Sequence, residues 1–357
     1  MSRFFNSRYQ NLCAYTPGEQ PTDMQYIKLN TNESPYPPSP EVQAAVNFAE
    51  VARLNLYPDP TLGALRERIG QHFGVKKENI FASNGSDDIL NFAFMAFCGE
   101  KRQAYFADIT YGFYRVFCDL HGISYTLIPL KDDFSIDPSD YMDRDGIIVI
   151  ANPNAPTGKV LACDAIERIV QGNPNTVVLV DEAYVDFGAQ SCAALTAKYN
   201  NLLVVQTFSK SRSLAGARLG FAVADSGLID DLERIRYSTN PYNINRLTMA
   251  AGIAAIDSEY YYRGMCEKII QTREYSMKKL CDMGFYVIPS QTNFIFARHS
   301  NLSGQALYEK LRARGILIRH FSGNRIADYN RITVGTREQM NRLLDAIGQI
   351  LSEDKNQ

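Results

Sequence analysis

Lys210 lies in TFSKSRSLAGARLG, residues 207–220, among the hydroxyls of Thr207, Ser209, Ser211 and Ser213. A lone lysine is most often a solvated surface charge. One held at the end of a buried strand can instead have its pKa lowered and form a Schiff base. Asp181 follows the apolar run 177–180; it could cap a helix, or pair with a protonated pyridine nitrogen and strengthen an electron sink. An Asn or Tyr nearby could hydrogen-bond a phenolic oxygen. Arg218, Ser209 and the helix start after Asn84, Gly85 and Ser86 could hold a phosphate through charge and free backbone N–H groups. Gly85 and Ser86 could equally be a simple turn and N-cap. Asp87 and Asp88 bring negative charge to that helix start, which the arginine must offset. Together these are the parts that pyridoxal phosphate needs.

The elements that would position them are legible as apolar runs at residues 104–107, 147–151, 177–180, 202–206 and 219–224. They are rich in Val, Ile and aromatics without polar alternation, as strands buried on both faces are. Helical patterns such as 164–170 separate several of them, which predicts an α/β fold with a mostly parallel central sheet. Polar residues follow the runs at 108–111, 152–154, 181–184 and 207–210. Ligands of open α/β sheets bind outside the carboxyl ends of the strands, so four such loops predict a site from position alone. The last third differs: helical patterns at 247–257 and 260–283 lead to short strands at 285–288 and 293–297. A final helix has one face marked by Met340, Leu343, Leu344, Ile347 and Leu351. The predicted organisation is an arm and part of a small domain at 1–40, a large α/β domain at 41–245 and a smaller α+β domain at 246–357. The arm is expected to pack on the small domain.

Composition narrows the function further. Lys and Arg total 37 against 39 acids, with no long run of either sign, which argues against nucleic acid as a partner. No apolar stretch approaches the roughly 20 residues of a membrane-spanning helix. MSRFFNSRYQNL has no apolar core of a secretory signal, and seven scattered cysteines fit reduced thiols. A cytoplasmic setting is expected. The four histidines lack metal-ligand spacing, so no metal is expected. There is no G-x-G-x-x-G, no G-x-x-x-x-G-K-[ST] and no G-x-S-x-G.

In order, the chain reads AYTPGEQ, LNTNESPYPPSP, LYPDPTLGALRERIG, NGSDD, ITYGFY, NPNAPTG, VDEAYVDF, TFSKSRSLAGARLGF, NPYNIN, SQTNFIFAR and RITVGTRE. In this order and spacing it resembles fold-type I pyridoxal-phosphate aminotransferases, and within them the histidinol-phosphate aminotransferase family. The resemblance implies that Lys210 bonds the cofactor and later moves the α-proton. Asp181 would pair with the pyridine nitrogen, Tyr184 would bond the phenolic oxygen, and Tyr111 would stack on the ring. Gly85, Ser86, Ser209 and Arg218, assisted by Thr207, would hold the cofactor phosphate. Tyr57 would reach the phosphate bound by a neighbouring subunit, implying a homodimer with shared sites. Arg331 and Arg319 would bind the anionic end of the substrate, with Tyr15 closing over it. The implied reaction is transamination of histidinol phosphate to imidazole-acetol phosphate, with 2-oxoglutarate and glutamate as the second pair.

The family pattern N-N-P-T-G places an asparagine on the phenolic oxygen; here Ala155 stands there, preceded by Asn154. Either the loop shifts so that Asn154 supplies the amide, or Tyr184 carries the role alone; Asn154 is the expectation. Three other readings stay open: a broad aromatic amino-acid aminotransferase, a threonine-phosphate decarboxylase-like enzyme, and a non-catalytic binding protein that keeps the fold.

Overall fold

The computed structural model describes residues 5–10, 12–323 and 325–355. The strands in chain order are β1 (Ile27–Lys28), β2 (Ile80–Ser83), β3 (Gln103–Ala107), β4 (Tyr125–Ile128), β5 (Gly146–Ala151), β6 (Val177–Asp181) and β7 (Leu202–Thr207). They continue with β8 (Gly220–Ala224), β9 (Phe285–Ile288), β10 (Phe294–His299), β11 (Ile316–Leu317), β12 (Arg319–His320) and β13 (Tyr329–Thr333). A seven-stranded sheet has the order β2-β8-β7-β6-β5-β3-β4. All its strands run one way except β8, which is antiparallel to both β2 and β7. The connection between β7 and β8 holds one 3-10 turn, Ala215–Ala217, and no crossover helix, so the chain turns straight back beside β7.

The continuous apolar runs divide by the pleat of the sheet. Ile148, Ile150, Val178, Val180 and Val204 pack on one face against Ile166 and Ile169 of helix Cys163–Gln171 and Ala255 of helix Arg246–Asp257. Ile147, Val149, Leu179, Leu203 and Val205 face the other way, against Ile89 and Phe94 of helix Ser86–Phe97, Phe117 of helix Phe113–His121 and Leu232 of helix Ser226–Thr239. Helices on both faces require apolar side chains at every position of the central strands. β2 and β4 were not among the expected runs. β4 is an edge strand with partly exposed positions and so lacks a continuous apolar signature, and β2 is only four residues long.

A second sheet, β12-β13-β10-β9, is antiparallel throughout. Its core also contains Ile27 and Leu29, because β1 pairs in parallel with β11 and the Thr333 N–H donates to the Leu29 carbonyl. The arm therefore divides. Residues 27–29 belong to this smaller core, whereas Arg8 lies against the large unit and donates to the His121 carbonyl at 2.6 Å. A cation at the last turn of helix Phe113–His121 satisfies a free carbonyl and complements the helix dipole. The arm thus packs on both units: residues 27–29 on the small core and Arg8 on the large one.

Candidate cofactor and substrate site

The carboxyl ends of β2, β3, β5, β6 and β7 lie along one edge of the large sheet, and a cavity of about 400 Å³ opens there between the two sheets. Lys210, Asp181 and Tyr184 line its floor. Lys210 sits three residues past the end of β7, and its Nζ lies 3.4 Å from the Thr31 carbonyl and 5.8 Å over the Tyr184 ring. Its loop is pinned just beyond it: the Ser211 hydroxyl donates to Asp186, and the Ser213 hydroxyl donates to Ser34 Oγ at 2.9 Å. Two serines with no expected task therefore shape the lysine's loop.

Asp181 ends β6, in register with Ala151 on β5 and Val205 on β7, and is 5% exposed. Its Oδ2 accepts from the Tyr114 hydroxyl at 2.8 Å and its Oδ1 from the Ala183 N–H at 3.2 Å. Burial pushes its carboxyl up to about 6, against the pull of those two donors. Tyr184 Oη accepts from Asn32 Nδ2 at 2.9 Å, and its ring meets Phe294 edge-on. Asn32 in turn accepts from the Thr333 hydroxyl at 3.1 Å, so the small sheet fixes the amide that meets the large sheet's tyrosine.

At the far end of the cavity Gly85 has φ +90° and precedes Ser86, the first residue of helix Ser86–Phe97. A Cβ at Gly85 would stand 2.7 Å from Arg218 Nη2, and one at Gly220 would stand 2.4 Å from the Ser86 nitrogen. The two glycines thus let a guanidinium and a strand close around a helix N-terminus, the setting that binds anions. The Thr207 hydroxyl donates to Ser209 Oγ at 3.0 Å, and both line the cavity. Arg218 donates to Asp87 at 3.1 Å, so the arginine does offset the acid at this helix start. Asp87 also accepts from the Tyr111 hydroxyl at 2.9 Å, and burial lifts that hydroxyl well above its ordinary value.

Arg319 and Arg331 are direct cross-strand partners on β12 and β13. Arg331 donates to the Asn30 carbonyl at 3.1 Å and lies over the rings of Phe294 and Phe321, yet its Nε is buried without a partner. Arg319 reaches the Pro17 and Thr16 carbonyls at 3.4 and 3.3 Å. Among the described residues neither guanidinium meets a carboxylate. Like charges directly opposed across a ladder are unfavourable by themselves, and an anion between them removes that cost. Tyr15 stands beside them, edge-on to Tyr111; partial burial raises its hydroxyl and the two arginines oppose the rise.

Asn154 and Tyr57 are not brought to this cavity, and Gly85, next to the lining residue Ser86, does not itself line it. Asn154 donates to the Ile109 carbonyl and Thr157 Oγ1, both at 3.0 Å, and accepts from the Thr110 hydroxyl at 2.8 Å. Its amide is consumed in knitting a buried turn, and Pro153 and Ala155 line the cavity instead. The amide beside Tyr184 comes from Asn32, on the arm. Tyr57 is 79% exposed and stacks on Tyr242 with ring centroids 4.5 Å apart, away from the cavity of its own chain. Asn32 lies in the quoted stretch LNTNESPYPPSP. Tyr114 lies three residues after Tyr111, in the turn that starts helix Phe113–His121, and the two rings meet edge-on.

The donor set fits pyridoxal phosphate: a lysine, a buried carboxyl for a ring N–H, a tyrosine for a ring oxygen, and a glycine-lined helix N-terminus with Arg218 for a phosphate. Residues 24–347 match the family described as aminotransferase class I and II. The chain is 49% identical to the histidinol-phosphate aminotransferase of Brachyspira hyodysenteriae, over 98% of this chain and 99% of that one. It is also 49% identical to histidinol-phosphate aminotransferase 1 of Hydrogenovibrio crunogenus, with the same coverage. The crystal structure of histidinol-phosphate aminotransferase from Sinorhizobium meliloti, in complex with pyridoxal-5'-phosphate, shares the fold with a TM-score of 0.85 at 23% identity, covering 92% of each chain.

The Asp181 carboxyl is raised from 3.8 to about 6 in the fold, so it keeps a proton that the unfolded chain has already released. Its contribution to the stability of the cofactor-free protein is therefore present at low pH and is lost as pH rises through about 6. Asp181→Asn should remove on the order of 2 kcal/mol of the decline between about pH 4 and pH 7 in urea unfolding. An unchanged pH slope would contradict the buried carboxyl described here.

Proposed function

The chain belongs to the class I and II aminotransferases and, within them, to the histidinol-phosphate aminotransferase family, and we propose that it exchanges an amino group between histidinol phosphate and 2-oxoglutarate in histidine biosynthesis. Imidazole-acetol phosphate and glutamate are the products of that direction. The observation that carries the substrate assignment is the pair of opposed guanidiniums, Arg319 and Arg331, at the end of the cavity away from Arg218. A phosphate dianion uses two arginines where a carboxylate is satisfied by one.

Bound pyridoxal phosphate supplies the electron sink that lets the substrate carbon beside the amino group give up its proton. Lys210 would hold the cofactor through its Nζ, and the freed Nζ would then take that proton and deliver it. Asp181 accepts the hydrogen bond of the protonated ring nitrogen, and Tyr184 donates to the ring oxygen while Asn32 fixes the Tyr184 hydroxyl. Tyr111 covers a ring face. Ser86, Ser209, Arg218 and the free N–H groups after Gly85 hold the cofactor phosphate, with Thr207 orienting Ser209. Tyr15 closes the substrate end and keeps water from the arginines.

Tyr57 serves the site of a second copy. Supporting this, Phe48, Val51, Leu54 and Leu56 are exposed with it on one stretch of chain, an apolar surface that a partner would cover. Sedimentation equilibrium should give twice the chain mass of 40.2 kDa, and a stable single-chain mass would contradict the paired assembly. A cytoplasmic setting suits this reaction; among the described residues no helix is long and apolar enough to cross a membrane.

The substrate is tested by half-reactions with histidinol phosphate, phenylalanine and threonine phosphate. Histidinol phosphate should react fastest. Arg319→Ala should lower kcat/KM for it by roughly 10- to 100-fold while changing phenylalanine by less than about threefold. A faster reaction of phenylalanine with the unaltered protein would overturn the assignment in favour of an aromatic amino-acid aminotransferase.

A further inference from the structure

Tyr114 has no role in the site as derived so far, yet its placement is unusual for a packing residue. It is completely buried on helix Phe113–His121, with its ring against Phe94, Phe106 and Tyr111. A phenylalanine would fill that volume without bringing a polar group into an apolar layer, and a buried hydroxyl is costly unless it is bonded. The Tyr114 hydroxyl has one partner among the described residues, Asp181 Oδ2, at 2.8 Å. The other Asp181 oxygen has only the longer bond from the Ala183 N–H at 3.2 Å. No cation among the described residues lies within ion-pair distance of this carboxyl. The charged and titratable groups around it are Asp87 from helix Ser86–Phe97, Lys210 from the loop after β7, and Tyr114 itself. Asp87 disfavours the carboxylate, Lys210 favours it from a distance, and Tyr114 is the principal neutral donor.

The turn that leads into the helix repeats this arrangement. Tyr111 donates to Asp87 at the phosphate end, and Tyr114, three residues on, donates to Asp181 at the strand end. Tyr111 before the helix and Tyr114 in it thus hold Asp87 and Asp181, with the two rings edge-on at 5.6 Å.

We propose that Tyr114 is a positioning residue: its hydroxyl fixes Asp181 Oδ2 and keeps the carboxylate ready to accept a hydrogen bond from the protonated ring nitrogen of pyridoxal phosphate. The inference rests on the cofactor reading above. A phenol O–H donated to a carboxylate stabilises the ionised form over the neutral acid. Without it, the anion in this apolar setting retains one long backbone bond. The neutral acid is then favoured, and a neutral acid is a poor acceptor for a pyridinium N–H.

The test is equilibrium binding of pyridoxal phosphate to the cofactor-free protein across pH, for wild type, Tyr114→Phe, Asp181→Asn and the double variant. Tyr114→Phe should move the acid limb of the binding profile upward by about one pH unit. That displacement should vanish in the Asp181→Asn background, because Tyr114 acts through that carboxyl. Site-specific replacement of Tyr114 by 3-fluorotyrosine keeps the packing, makes a stronger donor, and should displace the limb downward. An unmoved limb in both single replacements, or an equal loss of affinity with Asp181 already changed, would reduce Tyr114 to packing and overturn the proposal. Failure of the wild-type protein to bind pyridoxal phosphate at any pH would overturn the cofactor reading, and this proposal with it.

Discussion

A carboxyl group at the end of an apolar strand is costly to ionise, and the structure is arranged around one. Asp181 closes β6 in the middle of the large sheet, flanked by β5 and β7 and nearly shut off from solvent. Left alone it holds its proton to about pH 6. A cationic ring nitrogen placed against it converts that burden into attraction, since charges out of water interact strongly. The same burial that penalises the free carboxylate therefore makes it selective for a protonated heterocycle. Lys210, one strand over, and Tyr184, three residues on, are placed relative to this fixed point.

The second constraint is electrostatic and belongs to the small sheet. β12 and β13 put Arg319 and Arg331 opposite one another with no acid between them. Tertiary structure tolerates the arrangement because backbone carbonyls of the arm, from Thr16, Pro17 and Asn30, accept from the guanidiniums and because aromatic rings lie beneath Arg331. The arm is thus more than a covering. Through β1 it joins the small core, and through Asn32 it orients Tyr184 on the large sheet. A helix N-terminus with Arg218 and the Arg319–Arg331 pair both line the cavity that holds Lys210 and Asp181, and each is suited to an anion.

Much of this is legible in the chain. The strands β5, β6 and β7 show as uninterrupted apolar runs because both of their faces are covered, and Asp181 and Lys210 stand out because polarity begins abruptly where those runs end. Arg331 is legible from the apolar residues that follow it. What escapes the sequence is long-range. Asn32 meets Tyr184 across 152 positions, and no local pattern announces such a contact. Asn154 fails as a candidate because its amide is used by neighbours in its own turn, a matter of loop geometry that residue type does not encode. Tyr114's ring packs like a phenylalanine's; only the direction of its hydroxyl separates it from one. Tyr57 lies on the surface, stacked on Tyr242 and away from the cavity, so its proposed role cannot be read from one chain's geometry.

Pyridoxal phosphate is proposed to bind in this crevice on Lys210. Borohydride reduction of the protein with bound cofactor, followed by peptide mapping, tests it most directly. The expected result is a single stable adduct on the peptide bearing Lys210, with loss of the visible absorption band on reduction. An adduct on another lysine, or none at all, would contradict it.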